Sequence, residues 1–346
     1  MAIDPLFDTN VLVHVVRNLK LPSQFLLDTF FPNTVEFETE YVSIDVDVGL
    51  RRMAPFVSPL VEGKPVESRK YQTNSFRPAY IKDLRTPDFR RPVLRAMGER
   101  IAGSLTPAER IQLNLAFEME DQVQMVQRRL EWMAAQSMLT ASYQISGDGF
   151  ENVTLNFNRD AALTVTLTSG AVWSAANIAA GTAQPSQNIE TWAQTVLQKS
   201  GRAPDKLVFT TGAYNLFLLD PRVQQSVWYL RSGDSQVQFG GGVATGAVAK
   251  GRWGSYDLFV YNDWYIDVNG VEQPMVPGNT VLLGSPSLEG VRAYGSIMDE
   301  DFAYGALAYA PKSWIEPNPS RRHLLMQSAP VVIPSRVNAA MAVTVA

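Results

Sequence analysis

Thr106–Tyr143 reads TPAERIQLNLAFEMEDQVQMVQRRLEWMAAQSMLTASY, and its periodicity decides what kind of chain this is. Thr106 stands where its hydroxyl can accept from the free N–H groups of a first helical turn, and Glu109 can reach back to the threonine N–H. Pro107 sits where its missing N–H costs nothing. Apolar residues then recur at Ile111, Leu115, Met119, Val123, Val126, Leu130, Met133 and Leu139, close to the helical period. After Pro107 no proline or glycine intervenes until Gly147. The pattern predicts a helix over 106–143, roughly 50 Å long. Its opposite face is charged and polar: Glu118, Asp121, Gln122, Arg128, Arg129 and Glu131. Such a helix needs something to lie along, either the core of an ordinary enzyme or the frame of an extended molecule.

The composition, 46% hydrophobic and 18% charged, is that of a folded chain, and 346 residues suffice for two or more lobes. The formal net charge of −4 excludes little, but its distribution is uneven. Between Arg51 and Arg100 twelve Lys/Arg face five acids, so that segment is +7 and the remainder −11. Oppositely charged regions in one polypeptide favour self-assembly as readily as binding to a foreign polyanion. The absence of cysteine excludes disulfides, a thiolate nucleophile and cysteine-ligated zinc. The N-terminal sequence lacks the pattern of a signal peptide, and no stretch approaches a membrane span, so a soluble protein is expected.

Met1 to about Asn33 reads as an arm with one or two helical turns at QFLLDTFF. Thr34–Val48 alternates with the period of a half-wet strand. Gly49 to about Pro92 holds six prolines and many arginines but little core-forming material, and an extended two-stranded excursion packing on neighbouring subunits would explain it. Beyond the helix, FENVTLNFN and LTVTLTS read as paired strands, and 169–186 as a loop. Ile189–Gln198 and Ala213–Leu219 read as helices, 207–211 as a buried strand, and 238–250 as a glycine-rich loop. Strands are expected at 258–268, 280–284 and 291–294, with one or two more in 322–345 and the C-terminal one pairing with 153–167.

Catalytic constellations are missing. Lys250 precedes Gly251 and is followed by Arg252, so the glycines at 240–246 do not form a phosphate loop. His14 and His323 cannot make a histidine-rich metal site, and neither has a serine elbow near it. The run Asp299–Glu300–Asp301 reads as a solvated turn or a partner for arginines, ahead of a cation site. No catalytic, cofactor or metal residue is assigned, and no cofactor is expected.

FVSPLVEGKPVESR (56–69), SFRPAYIK (75–82), EMEDQVQMVQRRLEWMAAQSMLTASYQI (118–145), PGNTVLLG (277–284), GVRAYG (290–295) and APKSWIEPNPSRRHLLMQSAPVV (310–332) together resemble the lambda-type major capsid protein E family of tailed bacteriophages. The likeness runs from about Pro22 onward, with departures at 163–183 and 238–250. It implies an α+β, Hong Kong 97-type capsid fold. An N-terminal arm would occupy 1–37 and an extended β-hairpin, the E-loop, 38–95. A peripheral domain would take 96–187 and 296–346, with 106–143 as its spine helix, and an axial domain 188–295. The resemblance also implies hexamers and pentamers in an icosahedral shell around packaged double-stranded DNA, no enzymatic role, and location in the virion after assembly in the host cytoplasm. The implied partners are a scaffolding protein, a portal and, on lambda-type shells, a trimeric decoration protein; no membrane is involved. Arg51, Arg52, Arg69, Lys70, Arg77, Arg85, Arg90 and Arg91 are the expected intersubunit contacts. Two alternatives remain: an encapsulin-like bacterial compartment shell, and a metal- or nucleotide-dependent enzyme. The enzyme alternative requires a carboxylate cluster around Asp263, Asp267 or Asp299–Asp301, and calorimetric titration with divalent cations that detects no binding would remove it.

Overall fold

In the computed structural model the long helix forms over Pro107–Leu139 and the remaining elements are arranged about it. The structure describes residues 12, 13, 16, 24–39, 41–47, 53–54, 56–60, 62–63, 71–87, 105–147, 149, 152–225, 246–267, 269–318 and 320–346. Helices with both ends described are α1 (Phe25–Phe30), α2 (Pro107–Leu139), α3 (Ala175–Ala179), α4 (Pro185–Ser200) and α5 (Thr211–Leu218), and residues 221–225 are helical as well. The first strands are β1 (Asn33–Glu36), β2 (Val42–Asp47), β3 (Tyr71–Phe76), β4 (Ile81–Arg85), β5 (Ser142–Ile145), β6 (Val153–Asn156) and β7 (Thr164–Thr166). Next come β8 (Lys206–Phe209), β9 (Ala247–Trp253), β10 (Tyr256–Tyr261), β11 (Trp264–Ile266), β12 (Glu272–Pro274) and β13 (Thr280–Gly284). The last are β14 (Gly290–Tyr294), β15 (Ala310–Pro317), β16 (Ser320–Ser328), β17 (Pro330–Pro334) and β18 (Met341–Thr344).

The capping box at the start of α2 is present: Glu109 N–H donates to Thr106 Oγ1 at 3.3 Å, and Thr106 N–H donates to Glu109 Oε2 at 2.7 Å. The helix stops four residues short of the expected Tyr143. Ala141 adopts a left-handed φ of 52°, and the chain turns into β5, which pairs with β6. Tyr143 then donates its hydroxyl to Val332 O at 3.2 Å. No basic residue lies in the last turn of α2, yet its carbonyls are not bare. The guanidinium of Arg159 donates to Met138 O at 2.6 Å and to Leu139 O, placing a cation at the negative end of the helix dipole. Burial lowers the pKa of Arg159 to about 10.

The apolar stripe is buried from Leu115 onward, with Ile111 half-buried, but the opposite face is narrower than expected. Glu118, Gln122 and Glu131, assigned above to the charged face, are all buried. The helix is covered on more than one side. Gln122 Nε2 donates to Asp83 O at 3.0 Å beside β4, while Glu131 lies under α1 on another side. At about 100° per residue, the buried arc from 118 round to 131 takes in more than half of the circumference.

Glu131 joins three parts of the chain. Its carboxylate accepts from Leu26 N–H at 2.9 Å, Leu27 N–H at 3.0 Å and Tyr261 Oη–H at 3.0 Å. The first two are orphan donors of α1, whose own N-cap residue, Gln24, supplies no side-chain bond. The other end of α1 is held by Arg292, which donates from Nε to Phe31 O at 2.7 Å and pairs with Asp28 at 2.6 Å. The segment read as part of an arm is therefore built into the main core, where Phe25, Leu26, Leu27, Phe30 and Phe31 are buried. Gly290 lies so close beneath it that a Cβ there would fall 2.3 Å from Phe31 and from the carbonyl of Phe30.

The largest sheet has six strands in the order β7-β18-β13-β8-β10-β9. β13 is buried throughout, and β8 and β10 run parallel, with α4 and α5 contributing to the adjoining apolar core. β6 and β7 do not pair with one another as expected: β6 pairs with β5, and β7 runs parallel to β18. The expected meeting of the C-terminal strand with the 153–167 region thus occurs at 164–166 only. The stretch 169–186 is not all loop, since α3 and the start of α4 lie within it. Likewise 247–250, at the end of the glycine-rich stretch, belongs to β9; 226–245 lies outside the described residues. A three-stranded sheet β1-β14-β17 lies by α2, with Ser137 Oγ donating to Val332 O at 3.5 Å. β15-β16-β4 forms a further three-stranded sheet, and β2-β3 and β11-β12 are separate two-stranded ones. Because β4 is paired with β16, and Pro78 and Ala79 are buried, the two-stranded excursion closes at Phe76, well short of Pro92.

Two outcomes follow for the unassembled subunit. Glu131→Ala removes three hydrogen bonds and strands two buried N–H donors, so denaturant unfolding should show a loss of ~3 kcal/mol or more. Burial raises the Glu131 pKa to about 7, helped by Asp263 and opposed by the three donors, from an ordinary value of 4.5. The unfolded chain releases this proton first, so stability should fall as pH rises from about 4.5 to about 7, and Glu131→Gln should flatten that slope. Arg159→Met should speed hydrogen exchange in the last turn of α2 while leaving its first turn unchanged.

Candidate assembly surface

The β2–β3 hairpin is a ladder from Val42 opposite Phe76 to Asp47 opposite Tyr71. Val42 is buried and anchors its base, while Arg77, just past β3, is exposed. Between the strands, Met53, Phe56 and Leu60 are 89%, 101% and 94% exposed. Three large apolar side chains this bare within eight residues form a surface that burial would stabilise by ~1.5–3 kcal/mol per side chain. Arg51, Arg52, Arg69, Lys70, Arg90 and Arg91 lie outside the described residues.

Arg85 forms bonds within its own chain. At the end of β4 its guanidinium contacts Asp83 at 3.1 Å, Glu118 at 2.9 Å and Asp121 at 2.7 Å, with Met125 Sδ at 3.0 Å. Burial alone would lower its pKa, but the hydrogen-bonded carboxylates of Glu118 and Asp121 outweigh that and raise it. The cluster ties the strand that follows the hairpin to the first half of α2. Sequence spacing could not show this, because Glu118 lies 33 residues away.

The acidic run is also satisfied locally. Asp299 caps a short 3-10 turn, bonds Lys312 Nζ at 2.9 Å and accepts from Gln327 Nε2 at 2.8 Å. Burial pushes the Asp299 pKa up, but Lys312 and Gln327 hold it below its ordinary value. Asp301 lies 2.6 Å from the same lysine. Asp263 and Asp267 accept instead from backbone N–H groups of their own hairpin. Among the described residues no group of three or more His, Asp or Glu is placed to hold a metal. His323 stacks on Trp314 with ring centroids 5.2 Å apart and contacts Glu316 at 3.2 Å, as a structural histidine would; His14 lies outside the described residues. Lys250 lies on β9 with its ammonium 5.7 Å from the Tyr214 ring centroid. No helix among the described residues is long and apolar enough to cross a membrane.

A second exposed apolar surface was not apparent from the sequence, where 258–268 reads as one strand. The chain turns instead at Asp267–Gly270, and β11 pairs back onto β12. Asp267 Oδ1 accepts from Asn269 N–H and Val271 N–H, at 2.8 and 2.9 Å, fixing the turn. The available signal was Asn269–Gly270 between short alternating runs. Tyr265 packs inward against the core, which leaves Trp264 and Ile266 56% and 67% exposed on the outer face, with Val271 exposed at the turn. Glu272, opposite Ile266, adds a carboxylate to that face.

The comparisons bear on the whole chain. The model of the family described as phage major capsid protein E matches residues 8–345. The major capsid protein of Escherichia phage lambda is 29% identical over 312 residues, covering 89% of each chain. That of Enterobacteria phage P21 is 28% identical over 348 residues, covering 95% of this chain and 96% of its own. A solved structure of a protein assigned as a prophage capsid protein of E. coli CFT073 superimposes with a TM-score of 0.75 at 20% identity, covering 100% of both chains. The fold is therefore the α+β, Hong Kong 97-type capsid fold, and the family match supports a capsid subunit over the enzyme and compartment alternatives. With a structural family matched almost end to end and a subunit that leaves apolar side chains bare at a hairpin tip, the chain belongs to the phage major capsid protein E family.

Proposed function

We propose that this chain builds the head of a tailed phage, assembling as hexamers and pentamers into an icosahedral shell that encloses double-stranded DNA. The supporting observation is the bare hairpin: Met53, Phe56 and Leu60 are nearly fully exposed in a family whose members form the shell. The excursion within 38–95 acts as the E-loop and reaches over the adjacent subunit. The segment 1–37 acts as the arm, 96–187 and 296–346 as the peripheral domain around α2, and 188–295 as the axial domain. Arg51, Arg52, Arg69, Lys70, Arg77, Arg90 and Arg91 supply intersubunit contacts. Arg85, already bonded to three acids, acts by setting the direction in which the hairpin leaves α2. A scaffolding protein, a portal and a trimeric decoration protein complete the set of proposed partners, and packaged DNA is met without sequence preference.

Replacing 49–69 with a short glycine-containing turn between β2 and β3 tests the role of the loop. The variant should keep the cooperative circular-dichroism melt of the subunit, because that stretch contributes little core, yet form no shells by electron microscopy when co-expressed with its native assembly factors. Normal shells from this variant would refute the proposal.

A further inference from the structure

We infer that the outer face of the β11–β12 hairpin, centred on Trp264 and Ile266, receives the Met53–Phe56–Leu60 tip of a second copy of this chain. The inference rests on the loop reading above and adds to it the surface on which the loop lands.

Three observations support it. The first is complementarity of character. The tip is apolar and unsupported, and the β11–β12 face is apolar and rigid: Tyr265 is anchored inward, the Asp267 turn fixes one end, and Met275 N–H donates to Asp263 O at 2.9 Å at the other. A preorganised receptor loses little entropy when an apolar partner settles on it.

The second is charge. Residues 51–70 carry five Lys/Arg and two acids, a net of +3. The receiving hairpin, residues 263–272, carries three acids (Asp263, Asp267 and Glu272) and no Lys or Arg, a net of −3. Glu272 is exposed beside Ile266 on the receiving face. Opposite fields around two apolar patches both speed encounter and set register.

The third is symmetry. Tip and receptor are different surfaces of one polypeptide, so the contact between copies is head-to-tail. Repeated by a rotation that closes, such a contact generates a ring. A ring is what a hexamer or pentamer requires.

The chain has no cysteine, so introduced thiols report one contact only. Phe56→Cys and Ile266→Cys are made separately and together, and each is co-expressed with its native assembly factors. Assembled particles are then treated with a short bis-maleimide and run on denaturing gels. The double variant should give covalent ladders ending at five and six subunits, a mixture of the two single variants should give heterodimers, and either alone should give only monomer. Shells that form without a cross-link in the double variant or the mixture, or dimers of Ile266→Cys alone, would place the loop elsewhere and overturn the receptor assignment while leaving the loop reading intact. Shells from the 49–69 replacement would instead remove the loop reading itself. As a second measure, Ile266→Asp on this exposed face should leave the subunit melt unchanged and reduce shell yield at least tenfold; unchanged yield would overturn the inference.

Discussion

A buried carboxyl group that accepts three hydrogen bonds connects the parts of this molecule. Glu131 projects from the second half of α2 and accepts two backbone N–H groups of α1 and the hydroxyl of Tyr261 on β10. One side chain thus joins an N-terminal segment, the central helix and a strand some 130 residues further along the chain. Helices as short as α1 are marginal by themselves, because six residues leave most of their end groups without helical partners. Here the donor end is filled by an acid and the acceptor end by Arg292, each with the sign that the helix dipole favours. Aromatic packing completes the arrangement, with the Phe25 ring centroid 4.9 Å from that of Phe259 and 5.9 Å from that of Tyr261.

The same device recurs. Arg159 closes the far end of α2, and Asp220 accepts from Ser186 N–H at 2.8 Å near the start of α4. Helix ends in this fold are satisfied by side chains distant in sequence as well as by local caps. Each such bond requires the intervening chain to be in place, so these helices depend on one another more than their lengths suggest.

How much could be read from the chain depended on the range of the interaction. The capping box of α2 and its apolar stripe are local, and both were legible. The helix's early stop was not, because Ala141 turns in order to bring Ser142–Ile145 to Val153–Asn156, a pairing that periodicity does not encode. Glu118, Gln122 and Glu131 read as part of the charged face, apart from the buried stripe, because their partners come from β4, β16 and α1. At the surface, the poverty of core residues in 49–92 pointed to an excursion, but β4 could not be separated from it without seeing β16. The β11–β12 turn was within reach through Asn269–Gly270, and the long apolar reading of 258–268 obscured it.

The placement of β18 has a consequence for synthesis. Residues 341–344 fill the slot between β7 and β13, so both of those strands keep an open edge until this segment has left the ribosome. A chain interrupted before it has a divided sheet and lacks the apolar side chains of Met341 and Val343 that complete one core. Closure of the six-stranded sheet thus waits on residues 341–344, the part of the sheet that is made last.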